Sequence, residues 1–231
     1  MRIVIINFSG NTGKSTIAQN LLIPRMPNAE MISVESINAD ETDGEKVRGD
    51  QFNALSKELM LLDDAIVDVG ASNVEDYLKL MEQNVGSHED IDLFLVPTVK
   101  DHKQTNDTLS TIHALSVMGV PSEKILILFN RVETTDEITD VFSPIFSAHK
   151  KEKDFTINTD AVIYYSELYQ ELRHLGVSIS DLLSDKSDYK AQLKAAESRE
   201  EKMRIAEFIS AQRLAKSATA NLDSVFKIIA G

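Results

Sequence analysis

The chain contains no cysteine and no tryptophan, and only nine glycines and five prolines in 231 residues. Without cysteine there is no disulfide framework, no thiolate metal site and no cysteine nucleophile. No apolar run approaches the roughly 18–20 residues that cross a bilayer. Basic residues are outnumbered, 24 Lys and Arg against 37 Asp and Glu, for a formal charge of −13. Such a body repels phosphate backbones, which argues against non-specific nucleic-acid binding by the whole surface. The apolar start, Met1 to Phe8, is short, and no small-residue cleavage site follows it. It reads as a strand rather than a signal peptide, and the cytoplasm is the expected location.

The charge is unevenly spread. Residues 1–148 carry 11 basic and 24 acidic side chains, whereas residues 149–231 carry 13 of each. Residues 186–231 alone carry nine basic and six acidic. Only this last part offers a basic patch, and a mixed-charge solvated helix face is the favoured account of it.

Glycine and proline also stop early, with none between Val177 and Ala230. There Ile205, Phe208, Ile209, Ala218, Leu222, Val225 and Ile229 recur at three-to-four-residue steps, which predicts helix over 186–231, in two pieces. Residues 1–185 alternate instead. Ile3–Phe8, Met31–Ile37, Ala65–Val69, Leu93–Val96, Ile125–Phe129 and Phe155–Asn158 are short apolar runs that predict strands. Ser15–Leu22, stopped by Pro24, Thr105–Met118 and Ala161–Leu175 predict helices. Non-alternating apolar strands separated by helices indicate a doubly wound α/β fold around a mainly parallel sheet, with ligands at the carboxyl ends of the strands. The expected organisation is a nucleotide-binding domain over 1–185 with a helical C-terminal extension over 186–231, packed on it or on a partner.

The strongest chemical signal is Ser9-Gly10-Asn11-Thr12-Gly13-Lys14-Ser15-Thr16, which follows a strand and opens a helix, the context of a phosphate-binding loop. Gly10, Asn11, Thr12 and Gly13 would turn backbone N–H groups around a polyphosphate, aided by the positive end of the helix. Lys14 would reach the β- and γ-phosphates, Ser15 would bind Mg²⁺, and Thr16 would serve the α-phosphate region. A second strand ends in Asp68, a carboxylate placed to hold Mg²⁺ through its water shell. Gly70 follows, with a backbone N–H for the γ-phosphate. A third ends in Asn130-Arg131, an amide and a cation at the sheet edge where a purine would lie. Asn130-Arg131-Val132-Glu133 departs from the Asn-Lys-x-Asp guanine reader at two positions, which favours adenine.

These residues resemble the ParA/MinD group of P-loop ATPases, with a deviant Walker A loop. The likeness spans roughly residues 1–185 and includes the late Leu175-Gly176-Val177-Ser178-Ile179-Ser180-Asp181-Leu182. The acidic body, the Ser-Gly-Asn-x-Gly-Lys loop and the helical tail look most like StbB-type plasmid stability proteins. The resemblance implies an ATP·Mg²⁺-binding, slowly hydrolysing switch that forms a face-to-face homodimer. It would act in plasmid stability, partition or DNA positioning with an operon-encoded DNA-binding partner. Direct DNA contact would be weak, and a membrane anchor is not expected. The lysine that many members extend across the dimer is replaced by Ser9. Of the acidic pair that orients water, Glu35 matches the first position and Ile37 stands at the second, with Asp40 the substitute. Two other classes remain: a nucleotide-binding adaptor with little hydrolysis, and an ATP-dependent ligase of the same fold.

Overall fold

The computed structural model describes residues 1–34 and 44–231, with the backbone alone for residues 44–50. The segment that carries Glu35 and Asp40 lies outside the described residues, and so does the end of the second expected strand.

In chain order the elements are β1 (Arg2–Ile5), α1 (Lys14–Ile17), β2 (Glu30–Val34), α2 (Gly44–Leu61), β3 (Ala65–Val69) and α3 (Val74–Gln83). Next come β4 (Leu93–Thr98), α4 (His102–Val117), β5 (Ile125–Val132), α5 (Ile138–Val141), α6 (Ser143–Glu152) and β6 (Val162–Tyr164). The chain closes with α7 (Leu168–Leu175), α8 (Ile179–Ser184), α9 (Tyr189–Ala195) and α10 (Arg199–Ala230). The strands form one six-stranded sheet in the order β2-β3-β1-β4-β5-β6, all pairs parallel. After β3 the chain crosses β1 to start the other half of the sheet. β1 therefore lies at the switch point, where doubly wound folds open a crevice beyond the strand ends.

Alternation along β1 divides the core in two. Val4 and Ile6 face one layer with Phe52, Tyr77, Ile112, Leu115 and Phe142, from α2, α3, α4 and the approach to α6. Ile3 and Ile5 face the other with Ile17, Leu21, Leu172, Leu182, Ala211, Leu222 and Ile229. The apolar stripe of α10 is thus part of the second layer, packed on β6, α7 and α8. The helix starts where the Ser198 hydroxyl accepts the Glu201 N–H at 3.1 Å.

Three differences from the sequence expectation have a local cause. The sixth strand is Val162–Tyr164, inside the stretch read as helix, while Phe155–Asn158 contributes a single bridge, Thr156 to Leu126. Val162 and Ile163 are β-branched and buried beside β5, and the Leu168/Leu172/Leu175 spacing gains a helix only after Ser166 accepts the Leu168 N–H. The first helix is α-helical only to Ile17. It continues as a π turn over Ala18–Leu22 and a 3₁₀ turn over Ile23–Arg25, because Pro24 has no N–H to offer the carbonyl of Asn20. Finally, β4 runs through Pro97 to Thr98, although proline is rare in a central strand. The ladder from β1 has ended by then, with Ile6 N–H on the Leu95 carbonyl. The Pro97 carbonyl accepts instead from the Asn7 side chain at 2.9 Å.

The turn after α7 also has a local cause. Gly176 closes the helix at φ 66°, and Ser178 and Asp181 form a reciprocal capping box that opens α8. The Ser178 backbone N–H, then its hydroxyl, hold the Asp181 carboxyl below the usual carboxylate range.

Phe94 is fully buried in the central strand β4. Phe94→Ala is expected to lower stability by about 3–5 kcal/mol, read by urea denaturation. Val117→Ser, at a site 70% exposed, should stay within about 0.5 kcal/mol of the parent.

Candidate nucleotide-binding site

The site grows from the end of β1. Asn7 is fully buried, and its amide is used completely. Nδ2 donates to the Pro97 carbonyl at 2.9 Å and to Thr108 Oγ1 at 2.8 Å, while Oδ1 accepts the Ser9 N–H at 2.7 Å. The next peptide is fixed from α4, where Thr111 Oγ1 accepts the Phe8 N–H at 3.0 Å. Thr108 and Thr111 in turn donate to carbonyls of their own helix, those of Gln104 and Asp107. The loop therefore leaves the sheet in one direction, set by β4 and α4.

Residues 9–13 then turn tightly. Asn11 takes a left-handed backbone at φ 54° and Gly13 at φ 90°. At Gly13 a side chain is excluded twice, by that angle and by the neighbour: a Cβ there would lie 2.4 Å from Asn130 Nδ2. Asn130, at the end of β5, donates to the Thr12 carbonyl at 2.8 Å, and its Oδ1 accepts the Arg131 N–H at 2.9 Å. The sheet edge thus holds the loop from both sides, through Asn7 and Asn130.

Lys14 opens α1 and is buried. Its ammonium folds back over the loop and donates to the carbonyls of Asn7 at 3.1 Å and Ser9 at 2.8 Å. Burial pushes its pKa down, and the charge of Asp68 opposes that shift. Asp68 is itself buried on β3, in register with Ile5 at the end of β1. Gly70 lies just past β3, and Ser15 stands exposed in the first turn of α1. Thr12 Oγ1 is buried with no hydrogen-bond partner among the described residues. A desolvated ammonium, an orphaned hydroxyl and a turn closed by a glycine that admits no Cβ fit an incoming polyanion. Among the described residues no three His, Asp or Glu side chains converge on a metal. Asp68 and Ser15 fit an ion that keeps several waters and takes its other ligands from phosphate, as Mg²⁺ does.

The structure thus gathers Gly10, Asn11, Thr12, Gly13, Lys14, Ser15, Thr16, Asp68, Gly70, Asn130 and Arg131 at one end of the sheet, whereas Glu35 and Asp40 lie outside the described residues. It adds a cavity of about 210 Å³ beside the loop, between Gly13, Thr16, Ile17, Asn20 and Leu21 on one side and Asn130, Arg131, Tyr164, Tyr165, Tyr169 and Leu222 on the others. Pockets that enclose a drug-sized ligand run about 300–1,000 Å³, so this one suits a single flat ring system. Nothing in the sequence singles out the tyrosines. Burial, partly offset by Arg25, pushes the Tyr169 hydroxyl up.

Neither a family model nor a curated protein matches this chain. Solved structures do. An ATP complex of Cyanothece McdA aligns with a TM-score of 0.51 over 78% of this chain and 89% of its own, at 16% identity. The fold is the ParA/MinD-type P-loop fold. MinD of Aquifex aeolicus aligns over 92% of this chain and 96% of its own, at 14% identity and a TM-score of 0.49. In this fold the loop, Asp68 and Asn130 come from the ends of β1, β3 and β5, which lie within four neighbouring strands of the sheet, with β4 between β1 and β5.

Two experiments test this frame. Gly13→Ala is expected to cost about 1–3 kcal/mol. In a double-mutant cycle with Asn130→Ala, the steric part should be recovered as a coupling of about 0.5–3 kcal/mol. Asn7→Ala, which strands the Ser9 N–H and the Pro97 carbonyl, should cost about 1–3 kcal/mol. Thermal and urea unfolding read both.

Proposed function

We propose that this protein is an ATP-binding, slowly hydrolysing switch that dimerises with ATP and acts in plasmid stability, partition or DNA positioning through a DNA-binding partner. The observation that carries the reading is the buried Lys14 ammonium, held over the carbonyls of its own loop beside Asp68. A cation desolvated in this way favours an anionic ligand, and the left-handed turn supplies backbone N–H groups on one side of it. The similarity to an ATP-complexed McdA supports the same reading.

In this proposal the β- and γ-phosphates lie against the N–H groups of Gly10–Lys14, with Lys14 neutralising them. Ser15 and Asp68 would hold Mg²⁺, which supplies charge compensation to the phosphate oxygens when bound. The Gly70 N–H serves the γ-phosphate, Thr16 serves the α-phosphate, and the base enters the cavity beside Asn130 and Arg131. Glu35 or Asp40 orients water. Residues 1–185 serve as the nucleotide unit, residues 186–231 as an extension, and the protein works in the cytoplasm. Among the described residues no helix is long and apolar enough to cross a membrane.

One observation favours an adaptor with little turnover as the second reading. Ser9 is buried and its backbone is committed at both ends, the N–H to Asn7 Oδ1 and the carbonyl to Lys14. No cationic side chain extends from this position toward a partner's nucleotide.

Light scattering with Mg²⁺ and, in turn, no nucleotide, ADP, ATP, GTP or a non-hydrolysable ATP analogue tests both readings. A monomer that doubles in mass only with ATP or the analogue is the expected result. An unchanged mass with ATP bound would turn the reading to the adaptor. Lys14→Ala should weaken ATP binding roughly 10–100-fold, the worth of about 1.5–3 kcal/mol for hydrogen bonds to a charged group. Unchanged binding in that variant would remove the site assignment.

A further inference from the structure

The cavity beside the phosphate loop has a wall that comes from the far end of the chain. Leu222, on α10, lines it together with Tyr164 of β6 and with Asn20 and Leu21 of the π turn. The two flanking walls are each bonded to the same short stretch of α10. On one side, Asn221 meets the free edge of β6. Its Oδ1 accepts the Tyr164 N–H at 3.1 Å and its Nδ2 donates to the Val162 carbonyl at 2.8 Å. On the other, Arg25 reaches back over the π turn. Its Nη1 donates to the carbonyls of Asn20 and Leu21, both at 3.0 Å, and so supplies the donor that Pro24 withholds from Asn20. The same guanidinium pairs with Asp223 at 2.7 Å and donates to the Thr219 carbonyl at 3.4 Å. Arg25 is largely buried in this arrangement, with its side chain 13% exposed.

Thr219–Asp223 is therefore a clasp that ties both sides of the cavity to one helix. We propose that Asn221 and Arg25 are positioning residues for the base of the bound nucleotide, and that occupancy of the cavity is transmitted to the C-terminal half of α10. This rests on the proposed ATP site, on the cavity for the base rather than the turn that cradles the phosphates, with Gly13 and Thr16 bordering both. The phosphate loop is held by Asn7 and Asn130, whose side chains bond to Pro97, Thr108, Ser9, Thr12 and Arg131 and not to Thr219–Asp223. Loosening the clasp therefore weakens the grip on the base and leaves the grip on the phosphates intact. By linkage, a ligand that fills the cavity stabilises the clasp by the same amount that the clasp stabilises the ligand.

The test compares two ligands on the full chain with Mg²⁺: ATP, and inorganic tripolyphosphate, which has the phosphates and no base. Calorimetry should show that Asn221→Ala weakens ATP roughly tenfold, the worth of about one net hydrogen bond, with tripolyphosphate affinity unchanged. Arg25→Met should act in the same direction. In the wild type, hydrogen exchange over Thr219–Asp223 should slow with ATP and not with tripolyphosphate. Unchanged ATP affinity in a well-folded Asn221→Ala overturns the proposal. So does equal weakening of both ligands, which would mark the clasp as merely structural. If neither variant folds, the wild-type exchange decides, and ATP binding without protection of Thr219–Asp223 overturns the proposal. Binding of neither ligand by the wild type would instead remove the phosphate-loop reading, and this inference with it.

Discussion

Much of this molecule depends on the way one amide is spent. Asn7 sits where β1 runs out, buried on every side, and a buried carboxamide must satisfy both donors and its acceptor or destabilise the fold. It satisfies them on three different elements: the end of β4 at Pro97, the middle of α4 at Thr108, and the first peptide of its own loop at Ser9. Those contacts explain why the strand stops at the switch point and why a proline is tolerated in a central strand. They also fix the direction in which the loop sets out, so that the carbonyls of Asn7 and Ser9 face inward to receive Lys14. Asn130 completes the enclosure from β5, where only a residue without a Cβ leaves room for it.

The buried ammonium is the electrostatic counterpart of that geometry. Lys14 loses hydration in reaching the loop carbonyls and regains only part of it from neutral dipoles and Asp68. Neutral carbonyls are weak compensation for a desolvated cation. The site is built in a state that a multiply charged anion improves, and rigid placement of such groups before the ligand arrives is what makes electrostatic stabilisation effective. Ser9, which the resemblance sets where related proteins carry a lysine, is turned inward and absorbed into the hydrogen bonding of the loop.

The sheet and the loop are legible in the sequence because each follows from local rules. A short apolar strand, two glycines, a lysine and a helix former in that order leave few alternatives, and uninterrupted apolar strands imply a sheet covered on both faces. β6 escapes such a reading because three residues carry too little periodicity to outweigh the helical spacing that begins at Leu168, and Ala161 and Val162 could belong to either. Pro97 reads as an end because the rule against proline in central strands ignores a side chain standing in for a neighbouring strand. The tyrosine-lined cavity leaves no trace in the sequence at all. Leu21, Tyr164 and Leu222 lie far apart along the chain, and only the closed second layer of the core brings them together.

The free edge of β6 has a further consequence. An exposed edge strand displays a row of unpaired N–H and C=O groups on which a strand from another molecule can assemble. Here the N–H of Tyr164 and the carbonyl of Val162 are both taken by the Asn221 amide, which imitates the backbone of an absent neighbour. The strand is only three residues long, so one carboxamide occupies most of what a recruit would need. The sheet is thereby terminated on that side by its own chain, and runaway strand addition, the common route from a parallel sheet to insoluble fibres, finds no template there.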